Sequence, residues 1–293
     1  MKIAVYGAAG YQGRLVLAEL ARRAIAAVPL GRADAAATDH AALTEAFTGS
    51  DGVVNCAGPF LISGLGPLRA ALDAGIPYVD TAGEQAYLRD TYALSGMGPA
   101  VPAATDAGVP TDLLAHLIAD RWGPLADIAV THDIVGGGGA SRGSLRSLAG
   151  IRWRPRTEGD TGFPLTEVLT IPRHVQVGRV EGFVSTALAA GFGTPLAAGL
   201  IESLPEGPGE EDRRLQRFRY VVDARTLDNR EVQGVVEGRD TYGTTAVIAV
   251  ETLLRLTATA RTGVAAPGEV LDAAEFLGAL GAYGISHQVT GSS

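Results

Sequence analysis

The chain has 293 residues, of which 46% are hydrophobic and 19% are charged. This is a globular composition, and at about 150 residues per domain the length favours two domains with a large core. The formal net charge is −8 and no polybasic run occurs, which argues against nucleic acid or an anionic membrane as partners. A local arginine cluster can still hold a small anion.

The cysteine and histidine content gives no sign of a disulfide or a metal centre. Cys56 is the single cysteine, so an intramolecular disulfide is excluded and a reducing compartment is expected. The five histidines have unrelated spacings, so no metal site is predicted. The segment Met1–Tyr6 has the pattern of a strand and leaves no room for a signal peptide. These features predict a cytoplasmic protein.

One uncharged segment, Gly182–Ile201, has the length of a membrane span. It is nevertheless rich in glycine and contains Pro195, and its side chains are small rather than strongly apolar. We therefore expect no membrane span, and a loop or short helix pair that lines a ligand pocket or a subunit contact. Such a contact is compatible with a homodimer.

Strand and helix patterns alternate through the first 110 residues. Short apolar strands are predicted at Lys2–Tyr6, Ala27–Leu30, Gly52–Ala57, Pro77–Asp80 and Ala100–Ala104, with a weak one at Ala35–Thr38. Helical periodicity lies between them, for example over Arg14–Ala24. Strands separated by helices of this length indicate parallel β-α-β units and a doubly wound sheet.

After Pro110 the predicted strands become longer and more polar, which suits a sheet with one solvent-exposed face. They are Ile128–Val135, Val168–Ile171, Val175–Val184, Phe218–Ala224 and Glu231–Glu237, and helices follow at about Thr244–Thr259 and Leu271–Leu280. The predicted fold is α/β, with a Rossmann-type doubly wound parallel sheet and a second α+β domain on a mixed or antiparallel sheet. The predicted divisions are a cofactor domain (1–110), a substrate or oligomerisation domain (111–243) and C-terminal helices that pack back on the first domain (244–293).

The sharpest motif is the loop Gly7-Ala8-Ala9-Gly10-Tyr11-Gln12-Gly13, which lies between the first strand and the first helix. Gly7 permits the tight turn, Gly10 allows the backbone to approach a pyrophosphate, and Gly13 allows close helix–strand packing. The helix N-terminus offers its N–H groups to the phosphates. We expect Gly7, Ala9, Gly10, Tyr11, Gln12 and Gly13 to bind a dinucleotide; the alternative is a tight turn without a ligand.

Arg32 ends the second predicted strand, where a carboxylate would bind the ribose of NAD and an arginine can pair with the 2′-phosphate of NADP. It predicts NADP(H), although a solvated surface arginine is the alternative. At the end of a later strand, small residues leave room for ribose and nicotinamide: Asn55, Cys56, Ala57, Gly58 and Pro59. Cys56 is interpreted as a buried thiol rather than a nucleophile.

Together these residues resemble the saccharopine dehydrogenase-like oxidoreductases. The resemblance rests on Gly7–Gly13 with Gly31-Arg32, and on the blocks 54–60, 78–84, 139–147 and 238–242, the last followed by Thr245-Ala246. It implies a Rossmann domain, a mixed α/β second domain and use of NAD(P)H. The chain is short for that family and lacks a lysine-pathway signature, so the resemblance implies the cofactor rather than the substrate.

Candidate substrate-site residues lie near predicted strand ends. Asp80 can orient the nicotinamide ribose or accept a substrate ammonium, and its alternative role is to cap a helix. Tyr242 and His132 are candidate proton donors, with structural roles as the alternatives. After four glycines, Gly136–Gly139, the side chains of Ser141, Arg142 and Arg146 suit a carboxylate or phosphate, unless they form a solvated basic turn.

Three functions remain open from the sequence. The favoured one is an NADP(H)-dependent reductase that transfers hydride to a C=N or activated C=C bond of a small carboxylated molecule. The second is a non-catalytic protein that senses NADP, and the third is a Rossmann-type enzyme with redox-neutral chemistry such as a cyclase or dehydratase. No single motif names the substrate.

Overall fold

The computed structural model describes residues 1–153, 159–192, 196 and 198–291. Its strands are β1 (Lys2–Tyr6), β2 (Ala26–Leu30), β3 (Gly52–Asn55), β4 (Tyr78–Asp80), β5 (Pro99–Val101), β6 (Leu125–Val135), β7 (Thr161–Gly162), β8 (Val177–Val184), β9 (Arg217–Thr226), β10 (Glu231–Arg239), β11 (Gly263–Val264) and β12 (Ser286–Gly291). Its helices are α1 (Tyr11–Arg22), α2 (His40–Phe47), α3 (Phe60–Ser63), α4 (Leu65–Asp73), α5 (Gln85–Thr91), α6 (Gly108–Trp122), α7 (Arg142–Ala149), α8 (Glu167–Thr170), α9 (Thr186–Phe192), α10 (Ala198–Ser203), α11 (Glu210–Leu215), α12 (Thr241–Leu256) and α13 (Ala273–Ala279). Short 3₁₀ turns lie at Ile171–Arg173, Pro267–Glu269 and Leu280–Tyr283.

The first sheet is parallel and has the strand order β11-β5-β4-β3-β1-β2. Its central strands are buried on both faces because helices cover them, as the apolar runs predict. The chain reverses between β1 and β3, so their carboxyl ends form the crevice in which doubly wound sheets bind ligands. The expected doubly wound parallel sheet is confirmed.

The second sheet is mixed and has the order β12-β10-β9-β6-β8-β7. Strand β6 pairs in parallel with β8 and antiparallel with β9. One face buries Phe218, Tyr220, Val222 and Val236, while charged pairs such as Arg219–Glu237 lie on the other. The predicted second domain on a mixed sheet is therefore confirmed, including its solvent-exposed face.

Several predicted elements were wrong. The weak strand at Ala35–Thr38 is a turn, and the strand predicted at Val168–Ile171 is instead helix α8 and a 3₁₀ turn. The C-terminal part was predicted as helices, yet β11 adds to the first sheet and β12 to the second. Apolar runs this short do not distinguish a buried helical turn from a strand.

Helix α12 packs against α1 and against β3, β4 and β5 of the first sheet. The apolar core continues from Val16 and Leu20 of α1 through Ile248 and Leu253 of α12 to Tyr220 in the second sheet. Part of the uncharged segment forms β8, α9 and α10, while residues 193–195 and 197 of it lie outside the described residues. No helix in the described ranges has the length and apolar character needed to cross a membrane.

Candidate functional site

The glycine loop between β1 and α1 leaves no room for side chains at two positions. Gly7 has a φ of +83°, and a β-carbon there would lie 2.8 Å from the amide nitrogen of Ala57. A β-carbon on Gly13 would lie 2.2 Å from the carbonyl oxygen of Gly7. Both distances are too short for non-bonded atoms. Glycine at these positions therefore lets α1 begin directly against the crevice.

The first turn of α1 presents backbone N–H groups at this crevice. Gly10 precedes the helix in an extended conformation and has no side chain to cap it. The N–H of Arg14 donates to the carbonyl of Gly10 (3.0 Å), which is the first intrahelical bond. The N–H groups of residues 11–13 are thus the helix's unpaired donors, next to the positive end of its dipole. This arrangement suits a diphosphate.

The side chains of the loop bind the second domain rather than the crevice. The Tyr11 hydroxyl donates to the carbonyl of Pro208 (2.6 Å), and the Gln12 amide donates to the carbonyl of Tyr242 (3.1 Å). The rings of Tyr11 and Tyr242 meet edge to face with centroids 5.1 Å apart. Their contribution to a ligand site would therefore come through their backbone N–H groups.

Arg32 lies in the turn that follows β2. Asp34, the carboxylate of this turn, accepts the N–H of Gly31 at 2.8 Å. The Arg32 side chain is exposed, and no ion pair seen among the described residues includes it. A cation that no described carboxylate neutralises thus lies at the end of the second strand, at the position where a nucleotide ribose binds in this kind of sheet.

The end of β3 is held by side-chain hydrogen bonds. Asn55 is fully buried; its oxygen accepts the N–H of Ala57 (2.9 Å) and its nitrogen donates to the Tyr78 hydroxyl (3.0 Å). Burial raises the pKa of Cys56 to about 12, despite a hydrogen bond with Thr81. The thiol is therefore protonated at neutral pH, which supports its interpretation as unreactive rather than nucleophilic, although the residue is half-buried rather than fully buried.

Asp80 is completely buried at the end of β4. One carboxylate oxygen accepts the N–H groups of Ala82 (3.1 Å) and Ala103 (2.8 Å), and the other accepts the hydroxyls of Tyr78 (3.1 Å) and Tyr87 (2.6 Å). Burial raises its pKa to about 6 in spite of these bonds. A catalytic Asp80 stays a prediction, but these four bonds favour a role in fixing the ends of β4 and β5.

Tyr242 connects α12 to the start of α7. Its hydroxyl oxygen accepts the N–H of Ser141 (2.7 Å) and lies 3.1 Å from the Ser144 hydroxyl. Ser141 also caps α7, because its hydroxyl accepts the N–H of Ser144 at 3.1 Å. The structure therefore brings two predicted site residues, Tyr242 and Ser141, into direct contact.

Glu84 is the second attachment point of α7. This carboxylate is 1% exposed and accepts the Ser147 hydroxyl (2.6 Å) and the N–H of Phe60 (2.9 Å) through one oxygen, and the N–H of Gly83 (3.0 Å) through the other. The turn after β3, with Gly58 and Pro59, lies beside the same serine. Four of the blocks on which the resemblance rests thus meet through Glu84 and Tyr242: 54–60, 78–84, 139–147 and 238–242.

Arg142 and Arg146 lie on α7, and both already have carboxylate partners. Arg146 makes a two-point pair with Glu202, with one distance of 2.8 Å and another of 2.5 Å. Arg142 lies 3.3 Å from the Glu206 carboxylate, which also pairs with Arg14 of α1. Substrate binding by Arg142 and Arg146 stays a prediction, and an incoming anion would compete with these glutamates.

His132 on β6 is paired with a buried carboxylate that the sequence did not reveal. Its Nε2 lies 2.7 Å from Glu167, which is 1% exposed and also accepts the hydroxyls of Thr111 and Thr166 (2.9 Å each). Burial acts to raise the pKa of Glu167, but the charge and hydrogen bond of His132 outweigh it and hold that pKa at about 2. Glu167 is therefore an ionised partner that orients His132.

A second carboxylate, Asp106, is half-buried and lies next to this pair. It accepts hydrogen bonds from the hydroxyls of Tyr220 and Thr245, the latter at 2.9 Å. Burial raises its pKa, and the charge of His132 acts in the opposite direction. The His132 and Tyr220 rings have centroids 4.7 Å apart. Two neighbouring carboxyls with oppositely shifted pKa values are the usual arrangement of an acid–base site.

Of the residues His132, Glu167, Asp106 and Tyr220, only His132 was predicted from the sequence, because the others come from distant parts of the chain. Asp106 follows β5 and precedes α6, so its place at a strand's carboxyl end was a readable signal. Glu167 lies beside a segment predicted as a strand, and Tyr220 alternates with ordinary core residues of β9. Within the described residues, no group of three or more His, Cys, Asp or Glu side chains is arranged to hold a metal ion.

Comparisons with known proteins support the fold. No protein-family model matches the chain, and no curated protein matches its sequence. Among solved structures, saccharopine dehydrogenase (L-Glu forming) from Saccharomyces cerevisiae, without ligand, is similar over 100% of both chains, with a TM-score of 0.58 and 10% identity. A meso-DAP dehydrogenase variant from Clostridium tetani with DAP covers 92% of this chain and 94% of its own, with a TM-score of 0.50 and 13% identity. The chain therefore shares the fold of saccharopine dehydrogenase, which is the fold that the resemblance implied.

Proposed function

We propose that this protein is an NADP(H)-dependent reductase that transfers hydride to a C=N or activated C=C bond of a small carboxylated molecule. The observation that carries the proposal is the uncapped first turn of α1, which follows a loop that admits only glycine at positions 7 and 13. Arg32, which lies outside every described ion pair at the end of β2, favours NADP(H) over NAD(H).

The residues of the crevice fit this cofactor. The N–H groups of residues 11–13 would bind the diphosphate, and Arg32 would bind the 2′-phosphate. The small residues 55–59 would face the ribose and nicotinamide. Gly10 keeps the loop tight, because a β-carbon there would lie 3.2 Å from the carbonyl oxygen of Gly7. When bound, the cofactor supplies a hydride from its nicotinamide ring.

The proton for the reduced bond would come from the cluster across the cleft. Asp106 follows β5 of the first sheet, while His132 projects from β6 of the second, so the two face the interface of the layers. Burial raises the pKa of Asp106, which is the direction that a proton donor needs, and the ionised Glu167 holds His132 in one orientation. Tyr242 and Asp80 stay predicted catalytic residues, with hydroxyl and carboxylate oxygens already bound by protein groups.

The start of α7 would receive the substrate carboxylate. Ser141 is 4% exposed, and the Nε of Arg142 is buried without an acceptor in the described part of the chain. An anion reaching Arg142 would satisfy that donor and displace Glu206.

We also propose a cytoplasmic homodimer that uses the uncharged segment 182–201. Sedimentation velocity would test whether the protein is a dimer in solution.

Cofactor choice is tested by calorimetric titration of NADPH and NADH into the wild type and Arg32→Ala. Loss of a charge-assisted pair removes about 1.5–3 kcal/mol, so NADPH should bind roughly 10- to 100-fold more weakly and NADH almost unchanged. Arg69→Ala, which removes an exposed arginine of α4, is the matched control.

Turnover is tested by following NADPH absorbance with a panel of enones and of imines formed from α-keto acids and amines. Oxidation of NADPH with one member of the panel is expected. Equal weakening of both nucleotides in Arg32→Ala would contradict the phosphate assignment. Tight NADPH binding without consumption would favour a sensing protein, and product formation with unchanged NADPH a redox-neutral enzyme.

A further inference from the structure

A chain of hydrogen-bonded histidines and carboxylates lies away from the candidate site. The Nδ1 atoms of His116 and His174 are 3.0 Å apart. The Nε2 of His174 lies 2.9 Å from Asp112, and the Nε2 of His116 lies 3.4 Å from Asp120. His116 and Asp112 belong to α6, while His174 follows the 3₁₀ turn Ile171–Arg173.

This cluster is held in a closed environment. The side chains of Asp112 and His174 are 0% and 5% exposed, and Asp112 also accepts the N–H of Gly268 at 2.8 Å. A β-carbon at Gly268 would lie 2.4 Å from the His174 ring, so the turn Pro267–Glu269 packs directly on that imidazole. Three segments that are distant in sequence are therefore joined at this point.

The contact between the two Nδ1 atoms limits how many protons the pair can carry. A hydrogen bond at 3.0 Å needs one Nδ1 with a proton and one with a free lone pair. The pair can therefore be neutral or singly protonated. If both imidazoles were protonated, two N–H groups and two positive charges would face each other, and the contact could not persist.

The other charged groups around the pair do not remove this constraint. Arg173, from the 3₁₀ turn, is paired with Glu269 at 2.8 Å and lies over the Tyr92 ring at 4.0 Å. Glu269 also pairs with Arg261 at 2.7 Å. The remaining described charges that face the pair are the two aspartates, and Asp120 is exposed. Both aspartates contact Nε2 atoms, so neither separates the two Nδ1 atoms.

The joined segment leads to the candidate site. Glu167, the partner of His132, lies on α8, which continues directly into the 3₁₀ turn before His174. We propose that His116, His174 and Asp112 form a pH-sensitive latch that holds the segment Glu167–His174 against α6 and opens when both histidines are protonated. The latch is independent of the proposed function, because it concerns the fold alone.

The expected dependence on pH follows from proton counting. The closed latch binds at most one proton on its imidazoles, whereas the open latch binds two. The difference of one bound proton means that the open state becomes more favoured as the pH falls. Stability of this segment is present at neutral pH and is lost on acidification.

The test is hydrogen exchange of the peptides that cover residues 165–176 and 108–118, at pH 7.5 and 5.5. The variant His116→Asn keeps a neutral N–H donor near the Nδ1 position and cannot be protonated. His40→Asn, at an exposed histidine beside Asp73, is the matched control. At pH 5.5 the wild type and His40→Asn should exchange these peptides several-fold faster than His116→Asn, with no difference at pH 7.5.

A second measurement does not depend on a variant that folds. Imidazole nitrogen NMR of the wild type should show that the pair takes up one proton while these peptides stay protected, and the second only as they lose protection. The latch is refuted if both histidines are protonated at pH 5.5 with full protection, or if His116→Asn responds to acid as the wild type does.

Discussion

Substitution of Gly13 by alanine examines the glycine loop at its tightest point. The new β-carbon would lie 2.2 Å from the carbonyl oxygen of Gly7 and 2.8 Å from the Cα of Ala8, and both neighbours are backbone. An ordinary contact needs more than about 3 Å, so the start of α1 must move away by about 1 Å. Overpacking of this kind costs about 1–3 kcal/mol of unfolding free energy.

The same movement carries the first-turn N–H groups away from the diphosphate. Each hydrogen bond to a charged group contributes about 1.5–3 kcal/mol, so the loss of one or two predicts NADPH binding weaker by roughly 10-fold to more than 1000-fold. Calorimetry gives the affinity and urea unfolding gives the stability of the same sample.

Gly278→Ala is the control for this experiment. Gly278 lies in α13, and a β-carbon there would have no described atom within 4 Å beyond its own helix backbone and chain neighbours. Alanine should therefore stabilise the helix by up to about 1 kcal/mol and leave NADPH binding unchanged. A folded Gly13→Ala protein that binds NADPH as tightly as the wild type would refute the argument that α1 binds the diphosphate.

Three further substitutions test the rest of the site. Ser147→Ala removes the hydroxyl that donates to Glu84 at 2.6 Å and lies beside Gly58, one of the residues proposed to face the nicotinamide. It should speed NADPH release at least several-fold in stopped-flow fluorescence while leaving the melting temperature within a few degrees. Unchanged release would show that this contact does not support the residues 55–59 in binding the cofactor. Glu167→Gln removes a carboxylate whose pKa is held at about 2 in the folded protein. As the pH falls from about 4.5 towards 2, the wild type should therefore lose up to about 3 kcal/mol of unfolding free energy relative to the variant. Urea-unfolding free energies of the two proteins that change in parallel with pH would contradict this. For Asp80→Asn the pH dependence of stability should have the opposite sign. The pKa of Asp80 is raised to about 6, so its ionisation destabilises the folded wild type as the pH rises from about 4 to 6. The variant should be less stable than the wild type at pH 4.5, and the difference should shrink by pH 7.5; a constant difference would disprove the argument.

The sequence was most informative where local chemistry dictates the structure. Gly7 is required by its positive φ in the turn after β1, and Gly13 by its close approach to the carbonyl oxygen of Gly7. The alternation of apolar strands with helices predicts the parallel sheet directly. These are short-range constraints, so a single sequence contains them.

The partners within the site were harder to predict because they come from distant elements. Glu167 reaches His132 only after α8 packs beside β6, and Val168–Ile171 has the composition of a strand although it folds as helical turns. The glutamates that neutralise Arg142 and Arg146 lie about 60 residues later in the chain. Pairings of this kind depend on tertiary packing, which propensity and periodicity do not encode.

The alternating ion pairs across the mouth of the cleft affect how a charged molecule first meets the protein. Arg14, Arg142 and Arg146 are interleaved with Glu202 and Glu206, and all five side chains remain partly exposed to solvent. Such an arrangement cancels most of its own long-range field, so it does not draw anions in from a distance as an uncompensated arginine cluster would. This network should therefore contribute little of its own to the way ionic strength changes the rate at which an anion encounters the protein, and the overall net charge of −8 should dominate that dependence.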